Sequence, residues 1–156
     1  MEEKQSLDCA GFLTEKWVFD TANTGPMFDA SGVSFAGVRE ALGPRRFWQP
    51  RESRKDKKLL RLYRAEMSRC SVPGCTGFGP LEVHHLIGGR GGRSDERANL
   101  LPLCRTCHEW VNTPLLPFNF LLWLKFELFP EEVSWSRLTL LHGRWLPDPV
   151  RPRSKL

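Results

Sequence analysis

Several stretches of the chain carry an apolar pattern regular enough to predict an element. From about Lys55 onward, Leu59, Leu62, Tyr63 and Met67 recur at helical intervals among lysines and arginines, which predicts an amphipathic helix. Phe118 to Phe129 is apolar along most of its length and predicts a second helix. The segment EEVSWSRLTLLHGRW predicts a third, with Val133, Leu138 and Leu141 roughly on one side. Both of these helices read as core or docking surface. Between the first helix and the other two the period changes. Leu81 and Val83 alternate with Glu82 and His84 ahead of Leu86-Ile87, and NLLPLC forms another short apolar run, so two strands are expected. TCHEWVN then starts a short helix, with Thr106 as its expected N-cap and Glu109 three residues on completing a capping box.

The remaining segments are less regular. Residues 1–44 mix Phe12, Trp17, Phe19, Phe28 and Phe35 with Gly, Ser, Asp and Asn and hold no sustained period. They read as an extension with a short helix around Gly37–Leu42, whose aromatics suggest docking. The last ten residues, PDPVRPRSKL, are basic and Pro-rich and are expected to be disordered. The organisation expected is therefore an N-terminal extension (1–44), a basic helical segment (45–69), a compact centre (70–112), a C-terminal helical segment (113–147) and a basic tail (148–156).

Composition narrows the class. Of the 156 residues 40% are hydrophobic, which permits a core but not a large one. The longest apolar region is broken by Pro117, Asn119, Lys125 and Glu127, short of the roughly 18 residues of a membrane span. The first residues, MEEKQSLDCAG, lack the basic and apolar regions of a secretory signal. A soluble, cytoplasmic protein with no membrane partner is expected. The net charge is +5, yet residues 45–69 alone carry ten Lys/Arg against three Asp/Glu. That segment is either a solvated helix face or a phosphate-contacting element, with Lys57, Lys58 and Arg61 as its candidate contacts.

Four of the five cysteines come in two close pairs, Cys70/Cys75 and Cys104/Cys107, with 28 residues between them. In a reducing compartment such pairs favour a metal over disulfides. Two short knuckles brought together are a common way to build a four-thiolate zinc site, and Pro73-Gly74 supplies a tight turn in the first. Cys104 to His108 also spells the C-x-x-C-H of haem attachment. That reading needs an oxidising compartment and leaves Cys70 and Cys75 without a role. A redox pair would want a βαβ setting that the surroundings do not suggest. Cys9 stands apart as a free thiol.

Three of the four histidines, His84, His85 and His108, lie beside these pairs, and His142 falls in the distal helical segment. Neighbours on a strand point to opposite faces, so His84 and His85 should diverge unless the chain bulges. The loop GGRGGRSDERA is expected to be exposed, and its Arg90, Arg93 and Arg97 suit phosphate as well as plain solvent. The order is knuckle, strand, loop, strand, knuckle, helix.

Residues 70–112 resemble the HNH nucleases. The resemblance rests on His84-His85, Asn99 14 residues after His85, His108 nine residues after Asn99, and the two interleaved cysteine pairs. It implies an α+β fold class: a small zinc-stabilised ββα-metal core with helical or irregular extensions. It also implies roles. His85 would be the general base, and His84 and His108 would hold a catalytic Mg2+ or Mn2+. Asn99 would hold the loop that orients His85, and the cysteines would hold a structural Zn2+. Two imidazoles and no firm carboxylate leave other divalent ions open. Where some relatives carry a further histidine this chain has Asn112, and Glu82 is either a ligand-orienting group or a surface residue.

The implied activity is metal-dependent hydrolysis of DNA phosphodiester bonds. One such unit would nick, and cutting both strands would take a dimer or two visits; a homodimer or larger complex is a possible partner state. Family members of this size include phage packaging-associated, restriction and recombination nucleases and homing-type enzymes. The alternative from another class is a non-catalytic zinc module that binds nucleic acid, which has no use for His85.

Overall fold

The structure is a computed structural model, and it describes residues 17–20, 27–34, 37, 55–77, 79–88, 93–143, 146–149 and 151–154. The expected helix over 37–42 apart from its first residue, most of the first 54 residues including Cys9, and Arg90 lie outside the described residues.

The elements run β1 (Trp17–Asp20), α1 (Lys57–Glu66), β2 (Leu81–His85), β3 (Leu100–Cys104), α2 (Arg105–Glu109), α3 (Phe118–Leu128), α4 (Trp135–His142) and β4 (Arg151–Ser154). They make an α+β arrangement around two separate two-stranded antiparallel sheets, β2–β3 and β1–β4. The second sheet corrects the expectation of a disordered tail: Arg151–Ser154 pairs with Trp17–Asp20, from Trp17 opposite Ser154 to Asp20 opposite Arg151. Main-chain pairing needs no apolar side chains, so the hydropathy pattern carried no sign of it.

The β2–β3 pair is regular from Leu81 opposite Cys104 to His85 opposite Leu100. Pro102 has no N–H to give, and a sheet only two strands wide tolerates it. Its carbonyl accepts Ser71 N at 2.9 Å, which ties the start of the first knuckle to β3. The β3 residues are all buried. Leu101 and Leu103 pack with Leu116, Phe120, Leu121 and Leu124, so α3, beyond the ββα unit, supplies the helix that β3 packs against. A second cluster holds Met27, Ile87, Leu122, Val133, Trp135, Leu138 and Leu141, which puts α4 on the other side of α3. His142 is buried there too, its ring 5.5 Å from that of Phe118.

Two local expectations change. The buried face of α1 is Leu60 and Tyr63 against Leu100, flanked by Leu59 and Met67, whereas Leu62 is exposed. Leu59 and Leu60 are adjacent, so periodicity alone let the stripe run through either, and contact with Leu100 decided it. The helix also starts two residues later than Lys55, because Asp56 caps it: Asp56 Oδ1 accepts Leu59 N at 2.9 Å. In the N-terminal extension, docking falls to Met27 and Asp29, while Phe28 is exposed. Asp29 Oδ1 accepts Ser31 N and Val33 N, each at 3.0 Å, and Oδ2 accepts Trp135 N at 3.0 Å. Trp135 Nε1 donates to Met27 O at 3.2 Å.

A single buried carboxylate thus joins this extension to the first turn of α4. Asp29→Ala should lower the unfolding free energy by about 2 kcal/mol, since the buried Trp135 N–H and the part-buried Ser31 and Val33 N–H groups lose their acceptor at once. Urea unfolding of the two proteins measures the difference, and an unchanged midpoint would show that the extension does not hold α4.

Candidate active site

The four cysteines do converge. Their sulfurs lie within 4.8 Å of one another, and no other group of three or more His, Cys, Asp or Glu donors meets as closely among the described residues. Cys75 Sγ is 3.6 Å from Cys104 Sγ and 3.7 Å from Cys107 Sγ. Ligands about 2.3 Å from a tetrahedral zinc stand about 3.8 Å apart, so the spacing fits that ion. The pocket is shaped to the sulfurs: a Cβ at Gly77 would stand 2.8 Å from Cys104 Sγ and 3.2 Å from Cys75 Sγ. Gly77 N donates to Cys75 Sγ at 3.3 Å. The charges are mutually frustrated as well. The hydrogen bond from Cys107 pulls the Cys70 thiol down to about 5, and the same bond, followed by burial, pushes Cys107 up. Four thiolates cannot coexist at this distance without a cation among them.

The cluster also builds the next element. Cys104 Sγ accepts Cys107 N at 3.4 Å, so the second knuckle is itself the cap of α2. This corrects the expected Thr106 cap: Thr106 lies inside the helix, and Glu109 pairs with Arg105 on the surface instead of completing a capping box. One turn on, α2 presents His108. Asn112, beyond it, has a φ of 63° and an N–H bonded to Leu116 O, so it serves as a left-handed turn residue.

His84 and His85 diverge, as their alternation on a regular strand requires. His84 meets His108 edge to face, with ring centroids 5.2 Å apart. Burial, helped by the nearby His108 and His85, lowers the His84 pKa to about 4, so its imidazole is neutral near pH 7 and able to act as a ligand. His108 Nδ1 lies 2.5 Å from Glu82 Oε2. A proton on Nδ1, shared with that carboxylate, leaves Nε2 as the lone-pair nitrogen and makes it the better metal donor. Glu82 stands two residues before His84 on β2 and is thus an orienting group. These two imidazoles are the nitrogen donors that could hold a divalent cation here.

His85 lies among other partners. Its Nε2 is 2.8 Å from Asp95 Oδ1 and 3.2 Å from Arg93 Nε. Burial, with Arg93 and Arg64 nearby, lowers its pKa although Asp95 opposes them. Neither Asp95 nor Arg64 stands out in the sequence. Asp95 sits inside the polar loop, where nothing in the spacing separates it from its charged neighbours. Arg64 lies in a run of like charges.

Asn99 is fully buried and closes the loop between the strands. Its Oδ1 accepts Ile87 N at 2.7 Å, and its Nδ2 donates to Ile87 O at 3.0 Å and Ser94 O at 2.9 Å. Its own carbonyl accepts Leu86 N at 2.9 Å. It therefore fastens the residues just after His85 to those just before Asp95. Among the arginines, Arg97 is turned away from phosphate duty: it bonds Glu66 at 2.7 Å and Glu132 at 3.1 Å and stands over the Tyr63 ring. Arg93 is half exposed beside His85. Lys57, Lys58 and Arg61 are exposed on α1.

The HNH endonuclease family model matches residues 69–112. No curated protein and no solved structure matches the chain.

Two outcomes are expected. Elemental analysis of the purified chain should find one zinc per molecule that survives dialysis, and Cys75→Ser should lose it together with the cooperative melting transition. Absence of zinc from the well-folded native chain would sink the four-thiolate reading. Asn99→Ala leaves the Ile87 N–H and O and the Ser94 O without their buried partner, so a loss of about 3 kcal/mol is expected by chemical denaturation.

Proposed function

We propose that this chain is a metal-dependent HNH endonuclease that hydrolyses DNA phosphodiester bonds. The observation that carries the reading is the meeting of His84 and His108, from β2 and α2, inside the segment that matches the HNH endonuclease family. A surface pair of histidines would not come with a Glu82 that selects the tautomer of one and a burial that keeps the other neutral.

In this reading His84 and His108 hold a divalent cation, Mg2+ or Mn2+. Bound there, the cation supplies positive charge to the scissile phosphate and the departing oxygen. His85, one residue on and facing other partners, takes the proton from the attacking water. The expected ends are a 5′-phosphate and a 3′-hydroxyl. Asn99 acts on this step indirectly, because it holds the turn that follows His85. The four cysteines hold Zn2+ as a structural ion, and through the Cys104 cap they set where His108 stands.

DNA would be held by the exposed cations of α1. Lys57, Lys58 and Arg61 belong to this face, and Arg64, whose charge reaches His85, extends it toward the base. Contacts of this kind give affinity that falls steeply with salt and depends little on sequence. Arg93 and Arg90 would act from the loop, while Arg97, tied to two glutamates, supports α1 from beneath. With one such core per chain, a monomer nicks, and cutting both strands takes a homodimer or two visits.

The experiment is conversion of supercoiled plasmid to the open circle in Mg2+ or Mn2+, with native protein beside His85→Ala. The native chain should nick, and His85→Ala should lose at least about 100-fold in rate with zinc content unchanged. A native chain that binds DNA but leaves it supercoiled in every divalent cation supports the non-catalytic zinc module instead. Replacing Lys57, Lys58 and Arg61 together by Ala should weaken DNA binding and flatten its dependence on salt by about three phosphate contacts. Fluorescence anisotropy across a salt series reads that change.

A further inference from the structure

Two side chains compete for one nitrogen of His85. Asp95 Oδ1 lies 2.8 Å from Nε2, and Arg93 Nε lies 3.2 Å from the same atom. A ring nitrogen carries either a proton or a lone pair, so it cannot donate to one and accept from the other. The contact with Asp95 is shorter and more enclosed: the His85 and Asp95 side chains are 9% and 4% exposed, against 51% for Arg93. A lone pair on Nε2 would face a carboxylate oxygen, acceptor against acceptor, in a poorly solvated place. A proton on Nε2 removes that conflict, and Arg93 then pairs with the same carboxylate at 3.6 Å.

Asp95 is itself held from the far side. Its Oδ2 accepts Asp56 N at 2.8 Å, and Asp56 is the residue that caps α1. Burial alone would raise the Asp95 pKa, but the Asp56 N–H, His85 and Arg93 together hold it below the usual carboxylate range. The carboxylate is therefore an anion with one oxygen committed to the helix and the other to the imidazole.

We propose that Asp95 is a positioning residue for the hydrolysis attributed above to His85: its carboxylate takes the Nε2 proton, so that Nδ1 carries the lone pair that receives a proton from water. The proposal rests on the endonuclease reading. In the step, a water O–H bond breaks and its proton bonds to Nδ1. The water oxygen bonds to phosphorus, the bond from phosphorus to the 3′ oxygen breaks, and that oxygen leaves with the electron pair and is protonated from solvent. His85 is then an imidazolium, with its Nε2–H still on Asp95, whose negative charge offsets the new positive one. Asp95 touches neither substrate nor reacting atoms. It selects the tautomer and fixes the ring against rotation, while its second oxygen ties that ring to the cationic helix that would carry the DNA.

The test uses the zinc-loaded full chain and Asp95→Asn. In the variant, Asp56 N still needs an acceptor, so the amide oxygen stays with it and the amide NH2 faces His85. That arrangement demands a lone pair on Nε2 and moves the proton to Nδ1. Ring 15N chemical shifts of His85 at one fixed pH should read an Nε2–H tautomer in the native chain and an Nδ1–H tautomer in the variant. The rate constant kcat for nicking should fall about 100-fold with KM for DNA changed less than threefold, and Asp95→Glu should recover part of the loss. Unchanged 15N shifts in Asp95→Asn, or a kcat within twofold of native, overturn the proposal. A variant that only melts earlier, with the native tautomer, shows a structural role and overturns it equally. If the native chain nicks no DNA yet the variant exchanges tautomers, the endonuclease reading and the step attributed to His85 fall, while the pairing of Asp95 with His85 stands.

Discussion

Four cysteine sulfurs lie within 4.8 Å of one another, a spacing at which a bound cation would relieve the repulsion between thiolates. The two halves of that cluster lie on either side of the β2–β3 unit, so a bound ion closes the unit into one object. Its inner sulfurs, Cys104 and Cys107, are buried against the leucines of β3 and α3, and Gly77 leaves them room. An ion at this point would do what more apolar area would otherwise have to do for the small unit around it. The consequence reaches past the ion. Because Cys104 Sγ caps α2, the first turn of that helix is placed by the knuckle, and His108 is placed by that turn.

A second set of constraints, entirely polar, holds the opposite side of β2. Asn99 bonds both backbone groups of Ile87 and the carbonyl of Ser94. Asp95 joins His85 to the cap of α1. Glu96 takes the Arg137 guanidinium of α4 through both carboxylate oxygens, and Arg97 bridges Glu66 of α1 and Glu132 beyond α3. Four residues in five, from Asp95 to Asn99, thus tie the loop to α1, α4 and the turn after β2. What reads as a charged, solvated loop is, over that span, the polar counterpart of the cysteine cluster. Buried polar groups of this kind are costly unless satisfied, and here each finds a partner with good geometry.

The same logic explains the lysine inside α3. Lys125 is fully buried, yet it pairs with Glu132 and its ammonium lies 4.6 Å from the Phe129 ring centroid. Burial lowers its pKa while Glu132 works against the shift. Glu132 also receives Arg97, so the end of α3 and the turn before β3 share one carboxylate. As a sequence feature Lys125 only interrupted an apolar run. In the fold it links the core helix to the network around the site. Among the described residues, no helix is long and apolar enough to cross a membrane.

The sequence by itself determined the ββα order, the two knuckles, the core helix from Phe118 and the histidines that meet. These were legible because each rests on short-range rules: ligand spacing, strand alternation, helical period, and a resemblance carried by residues at set intervals. Tertiary structure alone decided the rest. It chose Leu60 over Leu62 for the buried face of α1, because Leu100 happens to face that side. It replaced Thr106 by Cys104 as the cap of α2, because a sulfur held by the knuckle reaches the amide first. It paired the two distant strands β1 and β4, withdrew Arg97 into ion pairs, and made partners of Glu82 and Asp95. Each of these turns on a contact between residues far apart in the chain. A carboxylate's role depends on which imidazole or amide lies within about 3 Å of it, a distance that residue type and spacing leave open and only the packed backbone sets.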